Sequence, residues 1–212
     1  MIDWSLFFSG VTAGAAVIAL AFVGWQIKQS NKQKLFDRRL AIWTAVYGLM
    51  DLYINVLPLF KWDGSEHKPA FSNDFEFGLM TNNSYLYEIA PAIKHPLDGD
   101  WQLMLLKKLE DMRRISLEAN FVFEGDVASV VSEFVESYSK ALFSMYQYEI
   151  LMSKIKKANE KNPQEFDELA QRYEEPRQRD GLLKARKQLR DAYEKLASRN
   201  EKKKIERQCK LF

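Results

Sequence analysis

Apolar and polar positions alternate along this chain on three different scales. From Trp4 to Trp25 there is no charged residue, in the run WSLFFSGVTAGAAVIALAFVGW. A polar, basic connector, QIKQSNKQK, follows without a Gly or Pro. Phe36, Leu40, Trp43, Tyr47, Met50, Ile54 and Leu57 then recur at 4-3-4-3-4-3 spacing, a heptad stripe on one amphipathic helix that Pro58 ends or kinks. Residues 61–100 are punctuated by turn-forming clusters such as KWDGSEHKP and HPLDGD, with short helices at 73–80 and 84–93. Helical pattern returns at 101–121 through Trp101, Leu105, Leu109 and Met112. After FEGD, with Asp126 as N-cap, the longest periodic run extends from Val127 to Ile155. Pro163 and Pro176 bracket an acidic helix, QEFDELAQRYEE. Leu182, Ala185, Leu189, Ala192 and Leu196 mark a last, thin seam with charged flanks, which suits an exposed antiparallel helix, a weak coiled coil or a helix ordered by a partner. No strand-like alternation of any length occurs, so the expected class is all-α.

The first run has the dimensions of a membrane span. Its 22 residues make a helix of roughly 33 Å, the thickness of a bilayer's hydrocarbon core. Trp4 and Trp25 stand where indole rings favour the headgroup level. A buried core helix would show a polar stripe, and this one offers only Ser and Thr. A cleavable signal peptide would start with Lys or Arg and have a shorter apolar core, although Ala19-Leu20-Ala21 has the small-x-small form of a cleavage site. Lys28, Lys32, Lys34, Arg38 and Arg39 follow the span, against Asp3 alone before it. The positive-inside rule then places the N-terminus outside and the remainder in the cytoplasm, with Lys28, Arg38 and Arg39 as interface anchors. Within the span Gly10, Gly14, Val17, Ala21 and Gly24 share a stripe at 4-3-4-3 spacing, where close backbone approach would let copies associate. Residues 43–62 could form a second pass, at the cost of placing Asp51 and Asn55 in mid-membrane.

Charge sharpens the picture at the other end. The net charge is +2, yet residues 177–212 carry +8 and the first 176 residues carry −6. A basic tail with Lys202, Lys203, Lys204 and Arg207 calls for an acidic counterpart. That counterpart is anionic lipid, a nucleoprotein, a cytoplasmic protein or the chain's own acidic body. No aromatic residues interleave there as in single-strand binding platforms. Cys209 is the one cysteine, so no intramolecular disulfide forms.

Candidate chemistry is sparse. His67 and His95 both lie beside prolines in the turn-rich region, without a Cys or carboxylate at metal-ligand spacing. There is no nucleophile elbow and no glycine-rich phosphate loop. No catalytic residue, metal ligand or cofactor is assigned. Asp51 has two readings, a buried partner for Arg113 or Arg114 and a place on the solvated edge.

The order of features resembles a group of small bacterial single-span membrane proteins of uncharacterised activity. In these an FDRR-type motif opens the helix after the span, as Phe36-Asp37-Arg38-Arg39 does in LFDRRLAIWTAVYGLM. EANFVFEGDVASVVSEFVESY is similar to their later segment, an F-x-F pair followed by a long helix. Some small anchored helical proteins of this architecture act in bacterial anti-phage defence, where activation perturbs the inner membrane. The resemblance implies structure more than chemistry, since no catalytic residues come with it.

Four segments are therefore expected: a transmembrane anchor over 1–27, a basic connector and amphipathic helix over 28–60, a helical bundle over 61–160, and an acidic helix with a basic C-terminal helix over 161–212. The functional expectation is a non-enzymatic bacterial inner-membrane protein that self-associates through its span and perturbs the membrane as a defence or toxin effector. The alternative is a membrane scaffold that docks a cytoplasmic partner.

Overall fold

The computed structural model describes the backbone of residues 4–59, 72–161 and 166–210, and the side chains of these except residues 4–11, 13, 59 and 166. The described residues form helices and no strand. α1 runs unbroken from Trp4 to Val56. It continues as a 3-10 turn, Leu57–Leu59, which contains Pro58. Lacking Gly and Pro, the connector has nothing to interrupt the hydrogen-bond ladder, so span-like stretch, connector and amphipathic helix are one rod of about 80 Å. α2 is Asn73–Met80, and a 3-10 stretch, Tyr87–Ile93, takes the place of the α-helix expected at 84–93. Pro91 sits inside it and withholds the amide an α-helix would use.

α3 (Gly99–Val122) is capped by Asp98, whose carboxylate accepts from the Asp100 amide, and in α4 (Asp126–Lys161) the expected N-cap Asp126 is instead the first helical residue. Gly125, at φ 61°, makes the tight turn between them. α4 is the axis of the bundle. Phe134, Val135, Tyr138, Ala141, Leu142 and Met145 are all fully buried, because α4 is covered on more than one side. Polar groups pin it as well: Ser116 and Ser132 share a 2.8 Å hydrogen bond to α3, and Tyr138 donates to Met80 O at the end of α2.

α5 (Phe166–Arg172) is shorter than the acidic helix expected, and Pro176 belongs to the first turn of α6 (Glu175–Ala197) rather than closing α5. α7 (Arg199–Gln208) follows after a break at Ser198, whose hydroxyl caps it. Leu182, Ala185, Leu189, Ala192 and Leu196 are all buried. The thin seam is thus a core seam against α4, and α6 and α7 share the core of the preceding helices. Small alanines let α6 lie close to its neighbour while its charged flanks stay in water.

Two expectations for α1 change. The stripe that enters the core is Ile42, Val46, Leu49, Tyr53 and Val56, each at most 3% exposed. Of the expected stripe, Leu40, Tyr47 and Ile54 are exposed and Met50 is buried. Two neighbouring apolar stripes share this helix, and periodicity alone does not choose between them. The burial of Val46, Leu49 and Tyr53 among bundle helices also removes the second membrane pass as a description of residues 43–56. Among the described residues no helix is long and apolar enough to cross a membrane. The charge-free stretch of α1 lies partly outside the residues whose side chains are described.

Candidate functional site: the stalk junction

Residues 14–35 of α1 are all exposed, and contact with the bundle begins at half-buried Phe36 and at Arg38. Up to Arg38 the helix divides into an apolar part up to Trp25 and a polar stalk, Gln26–Arg38. Val17, Ile18, Leu20 and Phe22 are 56–72% exposed, and the Trp25 ring lies 5.6 Å from that of Phe22. Ala21 is exposed, and a Cβ at Gly14 or Gly24 would meet nothing within 4 Å. Trp4 and Gly10 fall among the residues whose side chains are not described. On the stalk, Lys28, Lys32 and Lys34 face solvent.

Where the stalk enters the bundle, Arg39 ties three segments together. Its Nε donates to Val122 O at 2.5 Å, Nη1 to Gln208 O at 3.1 Å and Nη2 to Glu124 Oε1 at 2.9 Å. Gln208 returns a reciprocal pair, donating to Glu124 O at 3.0 Å and accepting from Glu124 N at 2.9 Å. A planar guanidinium suits this task, since its fork reaches several acceptors in fixed directions. The side chain of Arg39 is 12% exposed, so it is committed to the protein, while Arg38 stays 68% exposed with Glu118 at 3.9 Å. Half-buried Cys209 adjoins the cluster; burial pushes its thiol up, and Arg39 partly offsets this.

The basic tail ends at the same place. Arg207 and Lys210 flank Gln208 at the junction, exposed, and Lys203 is exposed one turn earlier. Lys202 is half-buried, and Lys204 pairs with Glu201 at 2.7 Å. Phe121, 86% exposed, projects from the end of α3 beside the turn that Arg39 grips. The fold therefore brings connector and tail, far apart in sequence, to one end of the bundle.

A second polar centre is buried. Arg186 on α6 pairs with Glu76 on α2, with side chains 8% and 1% exposed. Burial raises the Glu76 carboxyl, against the Arg186 charge, and lowers the Arg186 guanidinium. Nearby Asn73 donates to Met145 O at 2.8 Å and to Glu149 at 3.2 Å, and Tyr148 donates to Glu175 at 2.6 Å. Burial also raises the Glu149 carboxyl. The pattern had little to announce this centre: Glu76 is one acid between two phenylalanines, and Arg186 is one cation in a charged helix.

Between α3 and α4 lies an open groove of about 1240 Å³, floored by Leu106, Leu109, Leu117 and Phe143 and rimmed by both signs of charge. Asp51 is exposed, its place on the solvated edge. His95 stacks on Trp101, and His67 lies outside the described residues. Among the described residues no three His, Cys, Asp or Glu side chains come together as metal ligands. No family model matches the chain, and no curated protein or solved structure matches it.

Proposed function

We propose that this chain is a single-span bacterial inner-membrane protein, N-terminus outside, whose cytoplasmic bundle governs a self-associating, membrane-perturbing α1. One observation carries the proposal: the apolar part of α1 stands free of the bundle with large side chains exposed all round, Val17, Ile18, Leu20, Phe22 and Val23 each at least 48%. Such a surface is stable in hydrocarbon and costly in water. The charge-free length from Trp4 to Trp25 supports a complete span, and the lysines that follow support the orientation. Continuity of α1 supports the coupling, since a rearrangement of the bundle reaches the bilayer through one hydrogen-bonded rod. The action is mechanical rather than enzymatic, in line with the absence of any motif for nucleophilic or acid–base chemistry. A defence or toxin effector is its sharpest form.

The test is induced expression with fractionation, growth and a potential-sensitive dye, comparing wild type with Ile18→Arg/Leu20→Arg. Wild type should enter the membrane fraction, depolarise cells and arrest growth, and the arginine variant should do none of these. Wild type in the soluble fraction sinks the proposal. Wild type in the membrane with growth and potential unaffected selects the second reading, a scaffold, which the α3–α4 groove favours as a ready docking place for a cytoplasmic partner.

A further inference from the structure

The two faces of α7 are unlike. Its inner face is occupied: Ile205 is fully buried, Cys209 packs against the core, and Gln208 bonds to Arg39 and Glu124. On the other face Arg199, Lys203, Arg207 and Lys210 follow at steps of four, four and three residues. Those steps gather them into a sector of roughly 80°, whose centre lies about 160° round the helix from Ile205. All four are exposed, and none pairs with an acid among the described residues. The three consecutive lysines divide differently, for Lys202 is half-buried and Lys204 pairs with Glu201. Glu206 is the one exposed acid of α7.

This row of cations stands at the end of the bundle from which the stalk emerges. Arg39 joins Val122 O to Gln208 O, which sets Phe121, 86% exposed, near the C-terminal end of the row. Lys28, Lys32 and Lys34 continue the positive charge up the stalk.

We propose that the outer face of α7, with Phe121 at its edge, docks on the anionic headgroups of the leaflet from which the stalk emerges. The proposal rests on the membrane reading above, which turns the stalk end of the bundle towards the bilayer. Charge complementarity names the occupant: a leaflet containing anionic lipid is a plane of phosphates, and a single helix face of unpaired cations fits a plane. An exposed phenylalanine beside basic residues suits the boundary between headgroup and acyl chain. Nucleic acid is the rival polyanion, and α7 carries no aromatic residue between its cations for bases to stack on.

The length of the stalk sets a condition on docking. Trp25 and Arg39 are about 21 Å apart along α1. The headgroup layer takes up about 6 Å of that, so an upright α1 holds the row about 15 Å short of the lipid, near two Debye lengths. Docking therefore requires α1 to lean. A leaning rod covers less bilayer thickness with the same apolar length, so docking and local thinning go together. The helix that takes the lipid on one face holds Arg39 on the other, which ties the lean to the junction.

Energy transfer in vesicles tests this with the full-length chain. Cys209→Ser/Asn200→Cys protein carrying a donor dye is reconstituted with acceptor-labelled headgroups, in phosphatidylcholine alone or with added phosphatidylglycerol. Transfer should be severalfold higher in the anionic vesicles and fall to the neutral level in about 0.5 M salt. Lys203→Glu/Arg207→Glu should abolish the difference, whereas Lys156→Glu/Lys157→Glu, the same charge change at the end of α4, should leave it intact. Equal transfer in both vesicles, or equal loss in both double variants, overturns the proposal. So does an oligonucleotide that removes the transfer at equal phosphate concentration, which would assign the face to nucleic acid. Flotation of the same samples reads the span separately. Protein that floats with both vesicles but shows equal transfer keeps the span and sinks the docking. Protein that floats with anionic vesicles alone keeps the docking and sinks the span, and protein that floats with neither sinks both.

Discussion

Arg39 and the Glu76–Arg186 pair are the two places where single side chains hold distant segments together. Removing the Arg39 guanidinium strips Val122 O and Gln208 O of a charged donor and leaves Glu124 without its cation. Arg39→Ala should lower the unfolding free energy of full-length protein in detergent by about 2–4 kcal/mol, read by urea titration, with Arg39→Lys recovering only part because an ammonium lacks the fork. Arg186→Met should cost about 3–5 kcal/mol through the carboxylate it strands, and Glu76→Leu/Arg186→Met much less. The buried acids add a pH dependence. Burial raises Glu76 and Glu149 in the folded protein, so the native state holds more protons than the unfolded chain just above the usual carboxylate range. Stability should therefore fall as pH rises through the interval between unfolded and folded values, and Glu149→Gln should reduce that slope. The sequence shows the FDRR cluster plainly. It does not show that Arg39 turns inward while Arg38 stays out, because that depends on which stripe of α1 meets the bundle.

The helices themselves were largely legible. α3 and α4 contain the periodic runs 101–121 and 127–155, with α4 extending six residues further, and α1 is continuous because nothing in its connector can break it. What periodicity underrated was α6. Its seam is thin because alanines alternate with leucines, and thinness reads as weakness until the neighbouring helix is known. In the fold those alanines permit close approach, and Leu189 and Leu196 are 1% and 0% exposed. Leu189→Ala should cost about 2–5 kcal/mol in the same titration, well beyond the cost at an exposed coiled-coil position. The stalk makes the opposite prediction. Ser30→Pro interrupts the hydrogen-bond ladder of α1 far from any bundle contact, so the bundle should melt at an unchanged temperature while depolarisation is lost. Retained depolarisation would show that the bundle and the apolar part of α1 act independently.

At the scale of the whole molecule, α6 and α7 complete the core that α3 and α4 begin. Charge segregation along the chain suggested a tail with an acidic counterpart, external or the chain's own body. Two of its cations pair with acids of the body, Arg186 with Glu76 and Lys195 with Glu133, while Lys204 pairs with Glu201 inside the tail. The chain's own acidic body, one of the four counterparts the charge balance allowed, takes up part of the excess. Arg207, Lys203 and Lys210 remain outside, at the end where the stalk emerges. The unbroken α1 gives that end a mechanical character. From Arg39 to Trp4 the rod is about 50 Å long, so a pivot of about 10° at the junction sweeps its tip through roughly 9 Å. Small adjustments in a well-packed bundle thus become displacements comparable to a third of a bilayer's hydrocarbon thickness, with Arg39 as the fulcrum of a lever whose long arm lies outside the bundle.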